Sequence, residues 1–179
     1  FQAGLDEKIK RTQTPVVSVK GCPGLCIPET YLKICRQVLS GLNAQGIIEQ
    51  ADAHANLARV ETDLADVSRR MRERINHAGL SGAKVLASCH QAEFVHWLGL
   101  DVAATFKSVD AMTPRDIETC LAAGRNEAVT IVIANLQEGT DLPARIAEQL
   151  DSRLVVFSNF PASTVHADHP FMHLLQSNV

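Results

Sequence analysis

Between Gln50 and Ala78, apolar residues recur with helical spacing. Leu57, Val60, Leu64, Val67, Met71 and Ile75 are separated by 3, 4, 3, 4 and 4 positions, which makes one continuous apolar stripe along a helix. Arg59, Glu61, Asp63, Asp66, Arg69, Arg70 and Arg72 occupy the other faces, and Gly79 supplies a C-terminal stop. At the usual rise per residue such a helix is roughly 40 Å long, about the width of a domain, so it can run as a spine along one side of the molecule. A coiled coil is the alternative for such a stripe, but the clean heptads are too few to favour it.

After the spine the pattern alternates. Short apolar runs at Val85–Ser88, Val102–Phe106, Val129–Ala134 and Leu154–Phe157 predict strands. Gln91–Leu98, Pro114–Ala123 capped by Thr113, Asp141–Leu150 and Pro170–Ser177 predict helices. Strands alternating with helices of this length imply parallel βαβ units: an α/β fold with a parallel sheet of about four strands flanked by helices. Before the spine, residues 3–11 predict a short helix and Val16–Val19 a strand. GCPGLCIP at 21–28 is a loop by its Gly and Pro content. In Glu29–Ser40, Leu32, Cys35, Leu39 and Leu42 keep the helical period and Gly41 is the expected stop.

Composition narrows the classes. A chain of 179 residues suits one domain, or one domain with part of another. Net charge is −3 and only 4% of residues are aromatic, so there is neither the basic stripe nor the stacking platform that nucleic-acid binding needs. No apolar run approaches the roughly 18 residues that would suggest a membrane span. GxxxxGK, GxGxxG and GxSxG are all absent, which removes the usual phosphate, dinucleotide and hydrolase signatures.

The chemistry left is soft. The first strand of the alternating region ends on Cys89-His90, and side chains at the carboxyl ends of parallel strands line the ligand crevice. Thiolate and neutral imidazole are what soft and borderline metals prefer. Cys22 and Cys26 form a C-x3-C pair in the Pro/Gly loop, which can supply two thiolates to one metal or close a small disulfide. Cys35 and Cys120 read as small core residues on helix faces. His96 reads as a surface residue, and His166, His169 and His173 as a loose solvated cluster. Glu138 and Asp141 make a carboxylate pair, with Thr140 or Asp141 the expected cap of the next helix.

The order of motifs resembles the metal-ion solute-binding proteins of ABC transporters (TroA-like), the zinc/manganese/iron receptor family with a helical backbone between two lobes. GLDEKI at 4–9 and PVVSVKG are similar to the end of the family's first lobe, and Ala51–Ile75 to its spine helix. VLASCHQAEFVHWLGL resembles the element that carries a metal-ligand His, here His90. IVIANLQEGTDLPARIAEQL resembles the strand and helix that follow, RLVVFSNFP the strand ending in a ligand Asp, and FMHLLQSNV the closing helix. The resemblance implies that most of the first lobe, with its first His ligand, precedes Phe1. In the loop that carries the second His ligand, the ligand position falls on Gly24 between the two prolines. The ligand Asp falls on Ser158 or Asn159, so His90 is the one family ligand retained.

Because that loop faces the strand end in the family, the resemblance implies that Cys22, Cys26, Cys89 and His90 converge on a thiolate-rich metal site. Gln137, Ser158 and Asn159 would line the same crevice. Zinc leads as the metal, with iron, manganese and copper open. The implied organisation is a first-lobe remnant and loop (1–28), a helical linker with the spine (29–78) and an α/β C-terminal lobe (79–179). The implied protein is a non-enzymatic, periplasmic or extracellular receptor for a metal ion or metal complex, working with an ABC permease. Two other classes remain: a metal-free partner-binding module, and a thiol-redox or cofactor-handling protein. If Val16–Val19 is an unpaired strand, a two-fold homodimer would cover it.

Overall fold

The computed structural model of the chain describes Ile9, residues 16–161 and residues 170–179. Its elements are α1 (Pro28–Ala44), α2 (Gln50–His77), β1 (Lys84–Ser88), α3 (Ala92–Trp97), β2 (Asp101–Phe106), α4 (Pro114–Asn126), β3 (Ile131–Asn135), α5 (Asp141–Gln149), β4 (Arg153–Phe157) and α6 (Pro170–Asn178), with single 3-10 turns at Val109–Ala111 and Leu136–Glu138. The four strands form one sheet in the order β2-β1-β3-β4. Every pairing is parallel, as the alternation implies.

The spine is a single unbroken α-helix of 28 residues. Its stripe is buried in the C-terminal half: Leu64, Val67, Met71 and Ile75 join Phe94, Val95, Leu98, Met172 and Leu175 on one face of the sheet. The other face carries Cys120 and Leu121 of α4 with Leu142, Ile146 and Ala147 of α5. Side chains of a strand alternate between faces, so Val85 and Ala87 enter the first core and Leu86 the second. α4 opens on a full capping box: Thr113 Oγ1 accepts from Asp116 N, while Thr113 N donates to the Asp116 carboxylate at 2.9 Å.

Three sequence expectations need correction. Val16–Val19 is extended but not a strand. It lies along α1, with Lys20 N donating to Gln37 Oε1 at 2.9 Å. Gly41 does not stop α1; it leaves a notch for Val17, whose Cγ1 stands 2.1 Å from where a Cβ would be. The helix ends beyond Ala44 in a Schellman motif, with Gly46 at positive φ and Ile47 N donating to Leu42 O at 3.1 Å. The segment therefore folds back on its own chain, which removes the unpaired strand behind the dimer expectation. Finally, Cys35 is half-buried rather than core, unlike Cys120, which is 3% exposed.

Thr140 takes the N-cap position of α5 without a side-chain cap bond. The expected helix at 3–11 lies outside the described residues apart from Ile9, which is helical, and His166 and His169 also lie outside them. His96 and His173 are exposed. No helix among the described residues is long and apolar enough to cross a membrane.

Candidate metal centre

In the strand order β2-β1-β3-β4 the connections leave β1 toward one edge and reach β3 on its other side. The carboxyl ends of β1 and β3 therefore flank the switch point at which α/β sheets bind ligands. Cys89 and His90 follow β1 directly, and Glu138 closes the 3-10 turn after β3. Cys89 N donates to Phe106 O at 2.8 Å, so the first residue past β1 is still held in sheet register beside β2.

Cys89, His90 and Glu138 are the group of three potential metal ligands among the described residues whose donor atoms all lie within 4.8 Å of one another. Cys89 Sγ is 3.5 Å from His90 Nδ1, and His90 Nδ1 is 2.8 Å from Glu138 Oε1. Around a tetrahedral zinc with bonds of about 2.0–2.3 Å, neighbouring donors stand roughly 3.3–3.8 Å apart. The sulfur–nitrogen pair already fits, and the nitrogen–oxygen pair has to open by about half an ångström to admit such an ion. Without an ion, Nδ1–H donates to the carboxylate; ligation through Nδ1 moves the ring proton to Nε2.

The surroundings tune each donor. Partial burial raises the Cys89 thiol above its ordinary pKa and the Glu138 charge adds to this, against a smaller opposite effect of Lys107. For Glu138, burial pulls its pKa upward. Hydrogen bonds from Ser88, Asn135 and His90, with the attraction of His90, outweigh burial and hold the carboxyl below its ordinary value. Ser88 donates to Glu138 Oε2, and Asn135 Nδ2 donates to the same oxygen at 3.1 Å. Ser88, Asn135 and Glu138, with Lys107 and Gly139, also line a cavity of about 80 Å³.

The other sequence candidates lie around this group. Gln137 Nε2 donates to Ser158 Oγ at 3.0 Å, and Asn159 N donates to Gln137 Oε1 at 2.9 Å, so the crevice trio ties the end of β3 to the end of β4. Asn159 Oδ1 accepts from Gln91 Nε2 at 2.8 Å and from the Cys26 thiol at 4.0 Å. Burial raises the Cys26 pKa. Cys26 thus reaches the strand-end network through Asn159. Cys22 turns to Lys20 O at 3.8 Å. Both are free thiols, and neither belongs to the three-donor group.

The sequence offers Glu138 only as half of a carboxylate pair with Asp141, and it does not single out Ser88, Gln91 or Asn135. The available signal was their position, since all four stand at or just past the carboxyl ends of β1 and β3. Buried Ser88, Gln91 and Asn135, at 1%, 0% and 2% exposure, form the polar floor beneath the donors.

Neither a protein-family model nor a curated protein matches the sequence. Solved structures do. A Cd-bound periplasmic metal-binding protein from Candidatus Liberibacter asiaticus superimposes with a TM-score of 0.70 at 9% identity, over 86% of this chain and 59% of that one. The solute-binding protein FpvC of P. aeruginosa in complex with Ni2+ gives 0.67 at 13% identity, over 86% and 57%. ZnuA gives 0.64 at 14%, over 92% and 64%. The chain thus spans less than two thirds of the length of these proteins. At such identities the likeness is one of fold, and the chain shares the parallel α/β architecture of these metal-binding and solute-binding proteins.

Proposed function

We propose that this chain is the C-terminal part of a solute-binding protein that captures a transition-metal ion or a small metal complex, outside the cytoplasm, and delivers it to an ABC permease. The observation that carries the reading is the convergence of Cys89 Sγ, His90 Nδ1 and Glu138 Oε1 at the switch point of the sheet. The fold shared with periplasmic metal-binding proteins supports it. Residues 1–28 would then be the remnant and loop of a first lobe, 29–78 the linker with the spine, and 79–179 the metal-bearing lobe.

A sulfur, a nitrogen and one carboxylate oxygen make a borderline-soft set that suits zinc ahead of manganese. With thiolate and carboxylate both ionised, a divalent ion is neutralised in the site. Three protein donors leave a coordination position for water or for a donor from the rest of the protein. The role is capture and release, so no bond-making chemistry is assigned to these residues.

Titration of the reduced, purified chain with Zn²⁺ under competition from a chelating dye tests the reading. One equivalent should bind, and Cys89→Ser, His90→Ala and Glu138→Gln should each weaken binding by at least about tenfold. Zinc uptake that ignores all three substitutions, or no uptake at all, would overturn it. The second outcome would leave the metal-free partner-binding module in its place.

A further inference from the structure

Glu138 meets the site with only one of its two oxygens. Each carboxylate oxygen has about two lone-pair positions, and both on Oε2 are taken, one by the Ser88 hydroxyl and one by Asn135 Nδ2 at 3.1 Å. Neither donor is free to turn away. The Ser88 oxygen accepts from His90 N at 3.3 Å, which leaves its own hydrogen for Glu138. Asn135 Oδ1 accepts from Gln137 N at 3.4 Å and from Gln91 Nε2 at 3.5 Å, so the amide must present its NH2 group to the carboxylate. Gln91 is held in that sense too, because Nε2 faces two acceptors, Asn135 Oδ1 and Asn159 Oδ1, while its Oε1 is buried without a partner.

Freeing Oε2 would strand two donors in a site where Ser88 is 1% and Asn135 2% exposed. Buried donors left unmade are expensive. Oε1, by contrast, is hydrogen-bonded among the described residues only to His90 Nδ1, the nitrogen donor of the group.

We propose that Ser88 and Asn135 are positioning residues that fix Glu138 as a one-oxygen ligand, and so bias the centre toward four-coordinate ions such as Zn²⁺ and against ions that favour oxygen-rich six-coordination such as Mn²⁺. The proposal rests on the metal-capture reading above. A carboxylate that can swing both oxygens onto the ion adds a hard donor and raises the coordination number, which favours manganese. Outer groups of this kind typically alter metal affinity by about 10–100-fold when removed.

The test uses the reduced chain, competition titrations with Zn²⁺ and with Mn²⁺, and the visible absorption of the Co²⁺-loaded protein, which is intense for four-coordinate and weak for higher-coordinate cobalt. Ser88→Ala should lower the Zn²⁺-to-Mn²⁺ affinity ratio by about tenfold and weaken the cobalt bands. Ser88→Thr keeps the hydroxyl and should keep both wild-type signatures. Asn135→Ala should act in the same direction as Ser88→Ala. A purely structural role would lower the melting temperature of Ser88→Ala without moving the cobalt spectrum or the metal ratio, and that result overturns the proposal. If the wild-type chain binds neither metal, the metal-capture reading fails first and this proposal falls with it. If the wild type binds zinc and Ser88→Ala behaves identically, only the positioning role is lost.

Discussion

Trp97 Nε1 donates a 2.9 Å hydrogen bond to Glu29 Oε2, which joins the helix that follows His90 to the first turn of α1. Arg72 of the spine lies over the Trp97 ring at 4.7 Å from its centroid, and 3.9 Å from Glu29 Oε1. Three elements therefore meet one residue past Pro28, where the Cys22–Cys26 loop enters α1. The contact sits beside the loop whose Cys26 thiol reaches Asn159 Oδ1 at 4.0 Å, and the expectation is that it holds that loop in place. Trp97→Phe retains the ring but loses the donor, at a cost of about 1–2 kcal/mol for a bond to a charged acceptor, less where solvent competes. The expected melting temperature falls by roughly 2–4 °C. Cys26 should also react faster with a thiol reagent than in the parent chain. An unchanged Cys26 rate would show that something else holds the loop.

Five free thiols in different surroundings give a direct map of the site. Saturating Zn²⁺ should protect Cys89 from alkylation and leave Cys22 unprotected, because Cys22 turns to Lys20 O outside the three-donor group. Cys120, 3% exposed in the core between α4 and the sheet, should react last with or without metal. Peptide mapping after timed alkylation reads all of these at once. Equal protection of Cys22 and Cys89 would mean that the loop closes onto the metal and supplies a thiolate itself.

Burial and the Glu138 charge raise the Cys89 pKa, so the thiol is protonated at neutral pH and metal must displace that proton. Zinc affinity should rise by about tenfold per pH unit between roughly pH 6 and 8 as this proton is displaced. Cys89→Ser should bind weakly and remove one proton's worth of that slope. Competition titrations across the pH range decide it, and a parent profile that is flat from pH 6 to 8 would rule out the thiolate as a ligand.

The carboxylate behaves in the opposite sense. The Glu138 pKa is depressed in the folded state because hydrogen bonds from Ser88, Asn135 and His90 outweigh burial. Its contribution to stability is therefore complete above the ordinary glutamate range and is lost as pH falls through the lowered value. Glu138→Gln should reduce the dependence of stability on pH on that acid limb and leave the slope between pH 6 and 8 nearly unchanged. Denaturant midpoints measured from pH 3 to 8 provide the comparison. An identical acid limb in the two proteins would show that the carboxylate is no better held folded than unfolded.

The fold was legible wherever periodicity was long or alternation regular. The 57–75 stripe foretold the spine, and four apolar runs foretold four parallel strands. Val16–Val19 predicts a strand but lies along α1, because a valine-rich run has the same pattern on a sheet edge as along a helix, and the notch at Gly41 that receives Val17 distinguishes the two cases. Cys89 and His90 were legible as candidate ligands because they follow a strand. Glu138 was not, since only the turn after β3, 48 residues from His90 in sequence, brings its carboxylate to the imidazole. Ser88, Asn135 and Gln91 were hidden for the same reason: a buried polar floor exists only once two strand ends lie side by side.

Gly124 carries the same lesson as Gly41. The sequence places the end of α4 at Ala123, but the helix runs through Gly124 to Asn126. A Cβ there would stand 2.6 Å from Leu150 Cδ1 and 3.2 Å from Leu86 Cδ1. The glycine lets α4 press against β1 and against the end of α5. Gly124→Ala gains about 1 kcal/mol of helix propensity but overpacks the site at a cost of about 1–3 kcal/mol. Leu86 is 0% exposed in the middle of β1 and cannot yield, so the strain falls on Leu150 at the rim. The net expectation is a loss of about 1 kcal/mol, seen as a melting temperature lower by roughly 2–4 °C. Trimming the obstructing residue in Gly124→Ala/Leu150→Ala should give a smaller loss than the two single changes added together. A Gly124→Ala protein more stable than its parent would show that Leu150 moves aside freely and that α4 is not seated on the glycine.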